Sequence, residues 1–485
     1  MGIVFKQALS NTLITYFGFG IGAVNLLFLY TNFLTEEYFG LVTVILSTSA
    51  ILMPLIALGV PNALIKYYPG FHEDREQDGF LTLMLFLPLV LIVPMGLASY
   101  FANTFIGTFL SGENPIVKDY VWYIFLIGIA MAYFEIFFAW SKIQMKSVFG
   151  NFMKEVFVRV GVTILLLSVY LNYIEVHFFL KALVGLYILR MLIMKWYAYH
   201  LRMPKLRFTF PKNTKAILNY SVLIILGGSV AVILLEVDKF MINQYIAIEN
   251  VAYYSIGGYI ATVIAVPSRA MHQITYPLTA KLLTEQDRVG LKDLYQRSSL
   301  TLFIASGLVL LLIILNLNDL YKLLPETYKE GFYIAVLIGL AKLYDALLGN
   351  NNAILYNSDY YKTLLLLGVF LAIFTILLNL WLIPKYGLNG AAWATFIAIC
   401  SYNTLKIGYV HLKFKMHPFT SGTLKTILLL LSVGLPLYIL EFPFHPIINI
   451  GLKSALIILI YGIVLYRFKF SKDVFEALSN FLKRF

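Results

Sequence analysis

Apolar positions in this chain come in long runs, each broken after about 20 residues by a short polar or Pro/Gly-bearing segment, and the pattern repeats from end to end. The runs predict fourteen membrane-spanning helices, near 8–33, 40–65, 79–105, 117–139, 152–171, 175–198, 217–246, 251–272, 296–317, 331–349, 363–383, 388–411, 423–440 and 446–467. One break is unusual. In "WLIPKYGLNGAAWATFIAIC" (381–400) a run stops at Pro384, turns at Lys385-Tyr386-Gly387, and resumes with small residues instead of leucine. Lipid gives leucine no advantage over a neighbouring helix, so small side chains at every fourth position, here Gly390, Ala394 and Ala398, let backbones approach closely. The stretch predicts a tight helical hairpin.

Composition agrees with this pattern. Of 485 residues 60% are hydrophobic and 13% charged, with a mean hydropathy of +0.81. Such a chain cannot cover a soluble globule with polar surface, so an all-α polytopic membrane protein is expected. The single cysteine, Cys400, lies inside an apolar run and excludes an intramolecular disulfide. The first apolar run is too long for a signal-peptide core and is expected to be retained as a span. The net charge of +12 suggests nucleic acid at first sight. The basic residues, however, lie in short loops on alternate sides of the spans. Most of the 37 Lys and Arg fall inside if the N-terminus is cytoplasmic, which is the positive-inside signature. Both termini are therefore expected in the cytoplasm, and nucleic acid is not an expected partner.

The basic segment "RMPKLRFTFPKNTK" (202–215), with Pro204 and Pro211, is the clearest boundary. It suggests an N-terminal six-helix lobe (1–200), a cytoplasmic linker (201–216), a second six-helix lobe (217–415), and two additional helices with a basic tail (416–485). Weak self-similarity at a shift of about 211 residues pairs Ile143 with Ile354 and Ser147 with Ser358. Six helices per lobe would give both lobes one orientation, related by a pseudo-twofold axis along the membrane normal, with a cavity between them.

Ionisable residues inside spans are the positions most informative about chemistry, because each costs about 2.5–3.5 kcal/mol at the bilayer centre and must face protein or water. Seven of eleven are cations, a bias that suits an anionic ligand. Arg269, two residues after Pro267, is the leading candidate to grip a phosphate. Arg159, Arg190, Lys342 and Lys239 are further cavity candidates, and Lys181 and Lys406 complete the cations. Asp238, beside Glu236, is a candidate for ion coupling, as are Glu135 and Asp345, which hold similar places in the two lobes. Lys342 three positions before Asp345, and Glu155 one turn before Arg159, predict ion pairs within single helices.

Enzyme signatures are lacking. No H-E-x-x-H, G-x-S-x-G or G-x-x-x-x-G-K occurs, and no catalytic residue, metal site or cofactor is expected. Glu36-Glu37 lies in an outer loop too short to hold a glycosyl donor.

The stretches "LIPKYGLNGAAWATFIA", "DKFMINQYI" (238–246), "ENVAYYSIGGYIATVIAVPSRAMHQITYPLTAKL" (249–282) and "KIQMKSVFGNFMKEVFVRVG" (142–161) resemble the polysaccharide flippases, a branch of the multidrug, oligosaccharidyl-lipid and polysaccharide exporter superfamily. The resemblance implies translocation of an undecaprenyl-diphosphate-linked oligosaccharide across the bacterial inner membrane by alternating access. Its expected partners are that lipid-linked diphosphate, membrane lipids and other polysaccharide-assembly proteins. A lipid II flippase or a multidrug exporter of the same superfamily, and a membrane-embedded polysaccharide polymerase or ligase, are the alternatives.

Overall fold

The computed structural model describes residues Ile3–Leu482, and among them there is no strand. The first part of the chain forms α1 (Ile3–Val24), α2 (Tyr30–Phe33), α3 (Glu36–Ile56), α4 (Val60–Tyr67), α5 (Asp74–Phe86), α6 (Leu89–Phe101), α7 (Asn103–Ser111), α8 (Val121–Ile143), α9 (Val148–Phe152), α10 (Val158–Tyr170), α11 (Val176–Leu201) and α12 (Thr214–Tyr245). It continues through α13 (Glu249–Thr262), α14 (Val266–Thr284), α15 (Arg288–Ile314), α16 (Leu317–Lys322), α17 (Phe332–Leu347), α18 (Asn351–Tyr356), α19 (Tyr361–Phe414), α20 (Ser421–Ile439), α21 (Pro446–Phe468) and α22 (Lys472–Leu482). Ten helices among the described residues are long and apolar enough to cross a membrane. Three further expected spans fall on α9–α10 with the π-helical turn between them, on α12 and on α17, and α19, one of the ten, holds two expected spans in its two arms.

Several expected spans are interrupted where local chemistry demands it. The predicted 40–65 helix is split between α3 and α4 at Leu58 and Gly59, which take φ of 48° and 67°. The predicted 79–105 helix is interrupted at Leu87–Pro88 between α5 and α6. The helix expected over 251–272 instead runs on to Thr284. A 3₁₀ turn at Val263–Ala265 divides it, and Pro267 then sits in the first turn of α14, where its missing N–H costs nothing.

The small-residue hairpin forms as expected, with one correction. Pro384 stays inside the helical run; the reversal comes at Gly387, with φ 56° and ψ −135°. That backbone conformation is open to glycine and strained for any other residue. Beyond the turn, a Cβ on Gly390 would sit 2.2 Å from the Leu382 carbonyl oxygen, so the two arms meet backbone to backbone. Ala394 and Ala398 are fully buried. At the far end Thr363 Oγ1 donates to the Tyr409 hydroxyl at 3.0 Å, which keeps the arms antiparallel over their length.

Two compact units result, one ending at Ala252 and the other starting at Tyr253. In the first, α12 belongs with the preceding helices. Asn243 Nδ2 donates to the Leu110 carbonyl at 2.8 Å, and Asn114 Nδ2 donates to the Asn243 and Ile246 carbonyls at 2.8 and 2.9 Å. The basic segment before α12 is pinned to α5. Arg202 lies 3.2 Å from Asp74 and 3.5 Å from Asp78, and the Arg207 N–H donates to Thr82 Oγ1 at 3.0 Å. Phe80, Phe134 and Trp140 anchor a core beneath these contacts.

In the second unit α20 and α21 pack on α15 through Leu300, Ile304, Leu311, Val433, Ile457 and Tyr461. Polar bonds reinforce that seam. Tyr461 Oη donates to the Ile304 carbonyl at 2.9 Å, Asn316 Nδ2 to Ser454 Oγ at 3.0 Å, and the buried Lys453 Nζ to the Leu315 carbonyl at 3.1 Å. Lys453 thereby caps the C-terminal end of α15, where the helix dipole favours a cation.

Candidate intramembrane charge sites

In the first unit, α8, α10, α11 and the π-helical turn Met153–Phe157 bring four of the expected residues into one neighbourhood. Glu135 on α8 accepts from Lys154 Nζ at 2.6 Å. Arg159 on α10 pairs with Glu155 at 2.7 Å, as the one-turn spacing predicts, and its guanidinium also donates to the Glu155 carbonyl. The backbone here is held from α1's side: Asn25 Nδ2 donates to the Arg159 carbonyl at 2.8 Å, and Thr163 Oγ1 donates to Asn25 Oδ1 at 2.7 Å.

Arg190 on α11 is different. Only 7% exposed, it stacks with its guanidinium carbon 4.1 Å from the Phe134 ring centre and 4.8 Å from that of Tyr187. Its buried Nε has no hydrogen-bond partner among the described residues. Glu135 and Glu155 are the carboxylates whose field reaches it, yet each is already matched to another cation. The cluster thus carries a surplus positive charge, sheltered by aromatic faces.

Toward the end of α12, Lys239 pairs with Glu236 at 2.8 Å, and Asp238 is buried. Lys239 is therefore committed to a neighbour on its own helix. Lys181 is exposed. Sequence reasoning passed over Lys154 and Asn25. Lys154, on the π-helical turn, reaches Glu135 on α8, and nothing in linear spacing announces that pairing.

In the second unit the expected Lys342–Asp345 pair is absent among the described residues. Asp345 instead faces Lys406 of α19, with Nζ 3.9 Å from its carboxylate. Lys406 is 1% exposed; it also donates to Asn352 Oδ1 at 3.0 Å and lies 4.2 Å from the Tyr402 ring centre. Asp345 itself is 43% exposed. Each unit therefore holds a carboxylate on a central helix facing a lysine from another segment, although the two lysines come from unrelated positions.

Behind Asp345 and Lys406 lies a polar belt that the sequence did not suggest. Asn350 Nδ2 donates to Thr279 Oγ1 at 2.7 Å, Asn351 Nδ2 to Tyr295 Oη at 2.7 Å, and Ser299 Oγ to the Leu347 carbonyl. The buried carboxamide of Asn403 has no partner on either polar atom among the described residues.

Arg269 lies in the first turn of α14 and is exposed. About 22 Å of helix follows it before Thr284. It forms no ion pair among the described residues.

These features define an all-α, multi-pass membrane protein with both paired and surplus charges inside its spans. A sequence model described as polysaccharide biosynthesis protein matches residues 4–283, more than half of the chain, and the protein belongs to that family. Among solved structures the fold is similar to that of the lipid II flippase MurJ in an inward closed conformation. The TM-score is 0.75 at 15% identity, over 95% of this chain and 99% of that one. It is also similar to an inward-facing multidrug resistance transporter of the MATE family within the MOP superfamily, with TM-score 0.63 at 13% identity over 84% of this chain and 98% of that one. No curated protein sequence matches the chain.

Proposed function

We propose that the protein is a flippase that carries a lipid-linked oligosaccharide diphosphate across the bacterial inner membrane, by alternating access, with both termini cytoplasmic. The observation that carries this reading is the cation surplus inside the spans. Among the described residues Arg269 is exposed and forms no ion pair, and Arg190 is buried beside carboxylates already matched to other cations. An unpaired guanidinium in a bilayer is costly unless it meets an anion, and a diphosphate offers oxygens that match its fork geometry. Arg159 and Lys342 are secondary contacts in this scheme. Lys239, held by Glu236, serves structure first. Glu135 and Asp345, each facing a lysine, are the candidates for ion coupling, together with the buried Asp238. The family's link to polysaccharide biosynthesis supports a saccharide cargo.

The test is reconstitution in liposomes with a fluorescent undecaprenyl-diphosphate-linked oligosaccharide. Wild type moves the label between leaflets, and Arg269→Ala slows it at least about tenfold at matched protein levels, the loss of one charge-assisted contact. Wild-type rates equal to those of protein-free vesicles would refute the reading, and a lengthened sugar would point to a polymerase. A lipid II flippase is the second reading, favoured by the fold match to MurJ. Competition by lipid II against the labelled oligosaccharide lipid separates the two.

A further inference from the structure

Between α17 and the α19 hairpin, wholly within the second unit, lies an open groove of about 670 Å³ lined by Tyr333, Val336, Leu337, Leu382, Tyr386, Asn389, Trp393 and Ile397. Its composition is graded. Tyr333 is the second residue of α17, and Tyr386 and Asn389 flank the Gly387 turn, so the polar and aromatic groups gather at one mouth. Trp393 stands about 9 Å further along the helix and Ile397 about 15 Å, so the floor becomes aliphatic with depth. Tyr333, Tyr386, Asn389 and Trp393 are all exposed, and their hydroxyl, carboxamide and indole N–H groups make no hydrogen bond with described residues.

We propose that this groove is a saccharide subsite that receives a pyranose ring of the lipid-linked cargo. The inference rests on the flippase reading and on the orientation that puts the Gly387 turn on the outer side. A pyranose presents a face of C–H bonds and a rim of hydroxyls. The first packs on indole and phenol rings, and the second pairs with a carboxamide that both donates and accepts. An acyl chain would pack on the aliphatic floor and the ring faces but would offer no partner to the Asn389 carboxamide. Placed at the outer mouth, the subsite holds the sugar after it has crossed. It favours lipids that carry sugar over those that do not.

The experiment uses the full chain in nanodiscs and measures displacement of a fluorescent undecaprenyl-diphosphate-linked oligosaccharide. The competitors are the same unlabelled lipid and undecaprenyl diphosphate without sugar. Wild type prefers the sugar-bearing lipid by about tenfold. Trp393→Ala and Asn389→Ala each bring that preference near unity while affinity for the bare diphosphate stays unchanged, and Trp393→Phe keeps most of the preference. Equal weakening of both lipids by Trp393→Ala would assign the groove to the lipid tail. An unchanged preference in Trp393→Ala and Asn389→Ala, with melting temperatures near wild type, would also overturn the proposal. Failure of wild type to bind either lipid would instead remove the flippase reading beneath it.

Discussion

Asp345 and Lys406 allow a quantitative test of the second unit's charge site. Their 3.9 Å separation corresponds to about 4 kcal/mol of attraction at an effective dielectric near 20. Water reaching the half-exposed Asp345 reduces this to about 1–2 kcal/mol. Asp345→Asn removes the carboxylate and leaves an enclosed ammonium held by Asn352 and the Tyr402 ring, with no counter-charge from Asp345. It should lower the melting temperature of the purified protein by about 1–2 °C, because the unfolding entropy of a chain this long is about 1 kcal/mol per degree. Lys406→Met keeps the aliphatic stem and removes the charge, and a buried pair replaced by apolar groups of similar volume often costs little. The double variant should therefore be more stable than Asp345→Asn alone. The assay is thermal unfolding in one detergent, across all four members of the cycle. If the double variant loses the sum of the two single losses to within about 0.3 kcal/mol, the residues are uncoupled and the assignment is wrong.

Other expectations concern architecture. Gly390→Leu would set its Cβ 2.2 Å from the Leu382 carbonyl oxygen unless the arms part and should cost about 2–3 kcal/mol, read as lost thermal stability, with Gly390→Ala intermediate. Lys453→Met leaves the Leu315 carbonyl uncapped in the interior, at about 1–2 kcal/mol; hydrogen exchange should rise at the end of α15 and not in the first unit. Arg297 grips both carboxylate oxygens of Asp473, so Arg297→Ala should release α22 to protease while changing global stability by no more than about 1 kcal/mol. Arg190→Lys keeps the charge but loses the planar stacking on Phe134 and Tyr187. A drop of about 1 kcal/mol is expected in unfolding measurements, whereas Lys181→Arg at an exposed position should be silent.

Much of this protein was legible from its sequence, because the bilayer imposes a coarse and local rule. A helix must satisfy its own backbone in hydrocarbon, so length and apolarity alone locate it. The spans, the hairpin at 381–400 and the Glu155–Arg159 pair all follow from spacing within one segment. What linear spacing could not decide was the matching of groups on different helices. Asp345 ignores Lys342 three residues away and faces Lys406, and Glu135 takes Lys154 through a π-helical turn. Arg190 is left over because its neighbours are already neutralised, while Lys453, unremarked in the sequence, becomes a helix cap. The tertiary structure also placed α12 with the first unit, where Asn114 and Asn243 bind it, although the basic segment before it looked like the natural division. Charge pairing depends on angular position around each helix and on a few ångströms of axial offset, and those are set only when the helices pack.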